Sequence, residues 1–96
     1  MSESRSHRTT ANRLAARYGT EYNTGPGADI KADSITIEVE TPGTVADAGR
    51  QLQGHRGPVY VAGTNKKAVD RALDRFDHST IGVMDNRGNI VKPSTR

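Results

Sequence analysis

The chain has no cysteine and no tryptophan, and only four of its 96 residues are aromatic. The absence of cysteine excludes disulfides, thiolate zinc sites and cysteine nucleophiles within this sequence, so oxygen ligands are the candidates for metal chemistry. Because aromatic residues are scarce, the core must be built from Val, Ile, Leu and Ala. A chain of this length has room for one domain with a modest two-layer core.

Long apolar runs are also absent. No stretch approaches the roughly 20 residues that a membrane span requires, and the segment 1–8 lacks the apolar centre of a signal peptide. We therefore expect a cytoplasmic protein with no membrane partner. The three histidines, His7, His55 and His78, lie in separate segments without ligand spacing. The sequence consequently predicts no zinc site.

Charge is unevenly distributed along the chain. Residues 29–47 carry one lysine against five acidic residues, whereas 1–28 and 48–96 have net charges of +2 and +5. An acidic segment in a basic chain is typical of metal-dependent sites that act on a phosphodiester backbone, because carboxylates hold the cation and basic residues hold phosphates. Basic proteins that never meet nucleic acid are also common, so the pattern alone does not decide the function.

The acidic residues fall in two segments that alternate apolar and polar side chains, 28–33 and 35–41. Alternation predicts two strands, and in the second one Glu38 and Glu40 project together on the face opposite the apolar residues. A tight turn at 33–34 would join the strands into a hairpin. The ordinary interpretation of such a face is a solvated surface with scattered charges.

The register of this hairpin decides what the acids can do. If Ala32 pairs with Ile35, Asp29 lies opposite Glu38 with Cβ atoms roughly 5 Å apart. Like charges so placed repel, and a hard divalent cation such as Mg²⁺ or Mn²⁺ would relieve the repulsion. A register shifted by two residues puts Lys31 opposite Glu38 instead and predicts a weak surface ion pair.

The remaining pattern predicts an α/β fold in which helices sandwich a mixed sheet, with a parallel crossover from the second hairpin strand to a buried strand. Segments 1–7 and 93–96 are expected to be flexible around a single domain, 8–92. Apolar periodicity and turn residues predict, in order, a helix ending at Gly19, a short strand over 20–23, the acidic hairpin, a helix from Thr44 to Gly54, a strand over 58–63, a helix over 64–76 and a terminal hairpin over 80–92.

In this order of elements, the acidic hairpin resembles the active-site region of the PD-(D/E)xK nucleases, the restriction-endonuclease-like superfamily that includes Holliday junction resolvases. The resemblance spans residues 8–92 and implies an α-β-β-β-α-β core, here with an added helix and a terminal hairpin. Asp29 takes the place of the metal-binding aspartate and Glu38 that of the metal-binding glutamate. Glu40 stands where the family usually has lysine.

The resemblance implies a Mg²⁺- or Mn²⁺-dependent endonuclease acting on DNA, with Asp29 and Glu38 as metal ligands. Glu40 as a third ligand or general base, or Lys31 from the neighbouring strand, would assist the attacking water. Because the motif lysine is missing, an inactive module that binds nucleic acid or protein on the same fold is the alternative. A third hypothesis is a small α/β protein whose acidic face has no chemical role.

Four basic residues are candidate contacts to DNA phosphates: Arg13 and Arg17 on the first helix, and Lys66 and Lys67 at the start of the third. Each pair also fits an ordinary solvated helix surface. Since so small a subunit has little surface with which to hold a duplex, we expect a homodimer.

Overall fold

In the computed structural model, the protein consists of a five-stranded mixed sheet covered by helices. The structure describes residues 5–24, 28–32, 34–52, 54–55 and 57–95. A 3₁₀ turn, Val45–Asp47, leads directly into the second helix. The elements in chain order are α1 (Arg5–Arg17), β1 (Ile30–Lys31), β2 (Thr36–Glu40), α2 (Ala48–Gln51), β3 (Val59–Gly63), α3 (Lys66–Arg75), β4 (Gly82–Met84) and β5 (Ile90–Lys92).

Strand order in the sheet follows the chain, β1-β2-β3-β4-β5. The three central strands are parallel, and an antiparallel hairpin closes each edge. Both crossovers step in the same direction, so α2 and α3 pack on one face around Leu52, Val61 and Phe76. Helix α1 packs on the other face, where Leu14 and Ile37 are fully buried. The α/β class, the parallel crossover and the terminal hairpin are thus confirmed.

Two strands, rather than the three implied by the resemblance, lie between α1 and α2 in the described residues. The short strand predicted over 20–23 is wrong: this segment is irregular, and its described backbone bond towards the hairpin is one from Asn23 N–H to Asp29 O, 2.8 Å, just before β1. A single bond does not make a ladder.

Of the two residues predicted to cap helices, Thr44 before α2 and Asn65 before α3, only the second does so. Thr44 makes no side-chain cap, because its Oγ1 accepts the N–H of Thr41 at 2.9 Å instead, and the predicted helix over 44–54 becomes the 3₁₀ turn followed by the short α2. Asn65 caps α3 as expected, its side chain accepting the Ala68 N–H at 2.9 Å.

Both ends of the described chain are held by contacts. Helix α1 already begins at Arg5, and at the other end the Ser94 hydroxyl accepts the Val59 N–H and donates to Thr80 O. The flexibility of segments 1–7 and 93–96 stays a prediction, and residues 1–4 and 96 lie outside the described residues. No helix in the described part of the chain is both long and apolar enough to cross a membrane.

Candidate carboxylate site

The register of the β1–β2 hairpin brings the acidic residues together. Ile30 pairs with Ile37 and Lys31 with Thr36, which puts Asp29 one step further along, opposite Glu38. The Asp29 N–H donates to Glu38 Oε2 at 3.3 Å. The predicted register is confirmed, and the alternative that places Lys31 opposite Glu38 is excluded.

All three carboxylates are buried: Asp29, Glu38 and Glu40 retain 9%, 7% and 5% of their accessible surface. Glu38 pairs in the sheet with Val61 of the α2–α3 core, so it lies on the face that those helices cover. The interpretation of this face as a solvated surface is wrong, because β2 is an interior strand covered on both sides. Burial makes each uncompensated charge costly.

Asp29 is held by donors from two other elements. Its Oδ2 accepts the Val39 N–H at 2.8 Å and lies 3.2 Å from His7 Nε2, on the first turn of α1. The other ring nitrogen, Nδ1, lies 3.2 Å from the Tyr22 hydroxyl. Sequence reasoning missed His7 and Tyr22, because no spacing within one element connects a residue to a partner 15 or 22 positions away.

Burial and mutual repulsion favour the protonated forms of both glutamates. Burial first, then the charge of Asp29 and a hydrogen bond to its side chain, raise the pKa of Glu38 from 4.5 to about 9. Burial also raises the pKa of Glu40 to about 7, although a hydrogen bond to Thr44 opposes the shift. Near neutral pH the site therefore retains protons that exposed glutamates would release.

The donor atoms suit a hard divalent cation, since carboxylate oxygens are the ligands that Mg²⁺ and Mn²⁺ prefer. As they stand, however, no three His, Asp or Glu side chains in the described ranges are arranged to hold a metal ion. Because a hydrogen bond to the Asp29 side chain contributes to the raised pKa of Glu38, a proton between the two carboxyls is favoured. A cation there would have to displace that proton.

Lys31, the predicted alternative helper, lies apart from this cluster. It is exposed and pairs with Thr36, and its backbone carbonyl accepts the Thr20 hydroxyl at 3.2 Å. Within the described ranges its ammonium group contacts none of the three carboxylates. Glu40, in contrast, is part of the cluster, since its pKa responds to Asp29 and His7.

The candidate phosphate contacts on α1 hold another part of the protein. Arg13 Nη1 donates to Asn86 O at 3.2 Å, and Arg17 Nη1 donates to Arg87 O at 2.6 Å and Asn89 Oδ1 at 2.9 Å. These bonds tie α1 to the β4–β5 turn. A phosphate would have to compete with those oxygens for the guanidinium groups.

The candidate phosphate contacts on α3 are more accessible and lie beside β2. Lys66 forms an exposed ion pair with Asp70 at 2.9 Å, and Lys67 is also exposed. Two residues before the helix, the Thr64 N–H donates to Glu40 O at 3.0 Å. The amino-terminal end of α3 therefore lies next to the strand that carries two of the three acids.

No family model, curated protein or solved structure matches the chain. The cytoplasmic location and the homodimer stay predictions.

Proposed function

We propose that the protein is a small metal-dependent nuclease or nuclease-like domain that acts on DNA phosphodiester bonds. The observation that carries the proposal is the burial of Asp29, Glu38 and Glu40 together at the β1–β2 hairpin. A fold gains no stability from crowding buried acids, and perturbed pKa values concentrate at functional sites. A cation between the acids would offset the cost of burying several carboxylates close together.

In this proposal Asp29 and Glu38 hold Mg²⁺ or Mn²⁺. When bound, the cation would polarise a phosphoryl oxygen and lower the pKa of a bound water. Glu40 is the general base: with a pKa of about 7, it is well suited to take a proton from water at neutral pH. It assumes the role that the resemblance gives to lysine, because Lys31 is exposed and makes no described contact with the cluster.

Binding of the DNA backbone is assigned first to Lys66 and Lys67, which are exposed at the amino-terminal end of α3, beside β2. The backbone N–H groups of the first helical turn add a partial positive charge there. Arg13 and Arg17 are secondary candidates, since their guanidinium groups already donate to the β4–β5 turn.

A cleavage assay tests this function. Duplex, single-stranded and branched DNA are incubated with the protein in Mg²⁺, in Mn²⁺ and in EDTA, alongside Glu38→Gln and the control Asp85→Asn. We expect cation-dependent cleavage by the wild type and the control, and loss of cleavage in Glu38→Gln. Equal cleavage by Glu38→Gln, or none by the wild type on any substrate, contradicts the nuclease proposal.

The second candidate is a catalytically inactive module that binds nucleic acid or protein. It is favoured by the acid at position 40 in place of lysine, and by the lack of a ready metal-holding group in the described residues. A gel-shift experiment in EDTA separates the two: retained DNA binding without cleavage in any cation supports the module, and it should weaken when Lys66 and Lys67 are changed to Gln.

A further inference from the structure

A line of hydrogen bonds runs from Tyr22 through His7 to Asp29. The Tyr22 hydroxyl lies 3.2 Å from His7 Nδ1, and His7 Nε2 lies 3.2 Å from Asp29 Oδ2. The three residues come from the segment before β1, from the first turn of α1 and from the start of the hairpin. The rings of His7 and Tyr22 also contact each other, with centroids 5.8 Å apart.

The donors in this line can be assigned. Asp29 Oδ2 already accepts the Val39 N–H at 2.8 Å, and we therefore assign to it the acceptor role towards His7 as well, with the hydrogen on His7 Nε2. In a neutral imidazole, Nδ1 is then bare and accepts the Tyr22 O–H. Tyr22 thereby selects the tautomer in which His7 donates to Asp29.

Helix α1 is attached to the sheet by other contacts besides this one. Ala11 and Leu14 are fully buried against the sheet, and the far end is tied down by Arg17 and by the Tyr18 hydroxyl, which donates to Gly88 O at 2.9 Å. The bond from His7 instead fixes the rotation of the Asp29 carboxyl group, because its Oδ2 is held from both α1 and β2.

We propose that His7 is a positioning residue that orients Asp29 for a divalent cation, and that Tyr22 fixes the tautomer His7 needs. The two N–H donors occupy Oδ2 and leave Oδ1 as the ligand atom. The inference rests on the proposed function, since it concerns the same cation site. Outer partners that hold a ligating carboxylate commonly change metal affinity about 10–100-fold when they are removed.

The first experiment measures Mn²⁺ affinity from the EPR signal of free Mn²⁺, with thermal unfolding of every variant as a check on folding. We expect His7→Ala to weaken binding about 10–100-fold, Tyr22→Phe to weaken it less, and His7→Gln, which restores an N–H donor, to recover most of the loss. The matched controls are Tyr18→Phe, at the far end of α1, and His78→Ala, whose side chain is 98% exposed; both should bind Mn²⁺ like the wild type.

The second experiment needs no metal: the ring nitrogens of His7 are followed by ¹⁵N NMR. The wild type should show a protonated Nε2 and a bare Nδ1, and Tyr22→Phe should give a mixture of tautomers. Normal Mn²⁺ affinity in both His7→Ala and Tyr22→Phe, with binding lost in Asp29→Asn, overturns the positioning role and leaves the cation site standing. If the wild type binds no Mn²⁺, the cation site and the positioning role both fail.

Discussion

The two hairpins at the edges of the sheet each place an aspartate at the end of a strand, with opposite consequences. Asp85, after β4, accepts the N–H groups of Arg87 and Asn89 at 2.9 and 3.0 Å. Partial burial works against ionisation there, but these hydrogen bonds hold the pKa of Asp85 below its usual value of 3.8. Asp29, before β1, lies instead beside the buried acids Glu38 and Glu40.

The difference shows that an aspartate alone does not mark a ligand site. What distinguishes the two hairpins is the number of N–H donors and of other carboxyl groups around the aspartate. Around Asp85 one carboxylate meets several N–H donors and is satisfied as an anion. Around Asp29 three carboxyl groups converge, and burial together with the charge of Asp29 raises the pKa of Glu38. The comparison can be tested on each hairpin separately.

The largest expected effect is the pH dependence of stability without cation. Because the folded-state pKa of Glu38 is about 9 and its ordinary value is 4.5, the stability from its bound proton is complete below pH 4.5 and is lost as the pH rises towards 9. Glu40 adds a loss between 4.5 and about 7. Thermal unfolding in EDTA should show the Tm falling by several degrees from pH 5 to 9.

Glu38→Gln is the matched variant for that experiment, since the amide keeps the shape and cannot ionise. Its Tm should fall less over the same pH range. A wild-type Tm that is flat or rises between pH 5 and 9 would show that Glu38 is already ionised, and the contrast between the hairpins would then disappear.

The next effect is the response to Mg²⁺. A cation that replaces the shared proton stabilises the fold more at pH 8.5 than at pH 6, and at 100 times its dissociation constant it contributes about 2.7 kcal/mol. Thermal unfolding with and without Mg²⁺ at the two pH values measures this. Asp85→Asn should keep the response and Asp29→Asn should lose it; an equal response in both variants argues against a site at Asp29.

A smaller effect is expected at the other hairpin. Asp85→Asn should cost less than about 1 kcal/mol at neutral pH, because the amide oxygen still accepts the two N–H groups but carries no charge. As the pH falls through the depressed pKa of Asp85, the wild type loses the same stability and the difference closes. Urea unfolding of both proteins at pH 7 and pH 3 provides the test; a gap that widens in acid would contradict the assignment.

The smallest effect is expected on β5, where the side chain of Val91 is 47% exposed. Val91→Thr should change the free energy of unfolding by less than about 0.5 kcal/mol. The same change at fully buried Val39 introduces a hydroxyl into the core and should cost about 1–3 kcal/mol. Similar losses for both variants in urea unfolding would mean that β5 is covered by something, such as a second copy of the chain.

The sequence predicted the parts of the fold that depend on local pattern. Alternation in 28–41 predicted the two strands and left two registers open, of which the structure shows the one that pairs Ile30 with Ile37. The apolar stripe with the Asn65 cap predicted α3. The predictions of a strand over 20–23 and of a Thr44 cap were wrong. For Thr44 the reason is that composition does not show with which backbone group a polar side chain will form its hydrogen bond. Thr44 bonds to Thr41 rather than to its helix.

For the candidate site, the sequence indicated Asp29, Glu38 and Glu40 but neither their burial nor their partners. The two glutamates are buried because β3 pairs with β2 and because the segment around Thr44 lies against Glu40. Both contacts form only when the sheet is assembled. His7 reaches Asp29 only because α1 packs across the sheet and directs its first turn to the hairpin. Contacts of this kind join distant segments and leave no periodic signal.

The most direct test of the central claim is a Mn²⁺ titration of the ¹⁵N-labelled protein, with paramagnetic broadening of each backbone amide as the readout. Broadening confined to the neighbourhood of Asp29, Glu38 and Glu40, absent from the Asp85 turn and abolished by Asp29→Asn, is the predicted result. Broadening centred on the Asp85 turn, or none at either hairpin at millimolar Mn²⁺, would contradict the claim that the buried acids form a cation site.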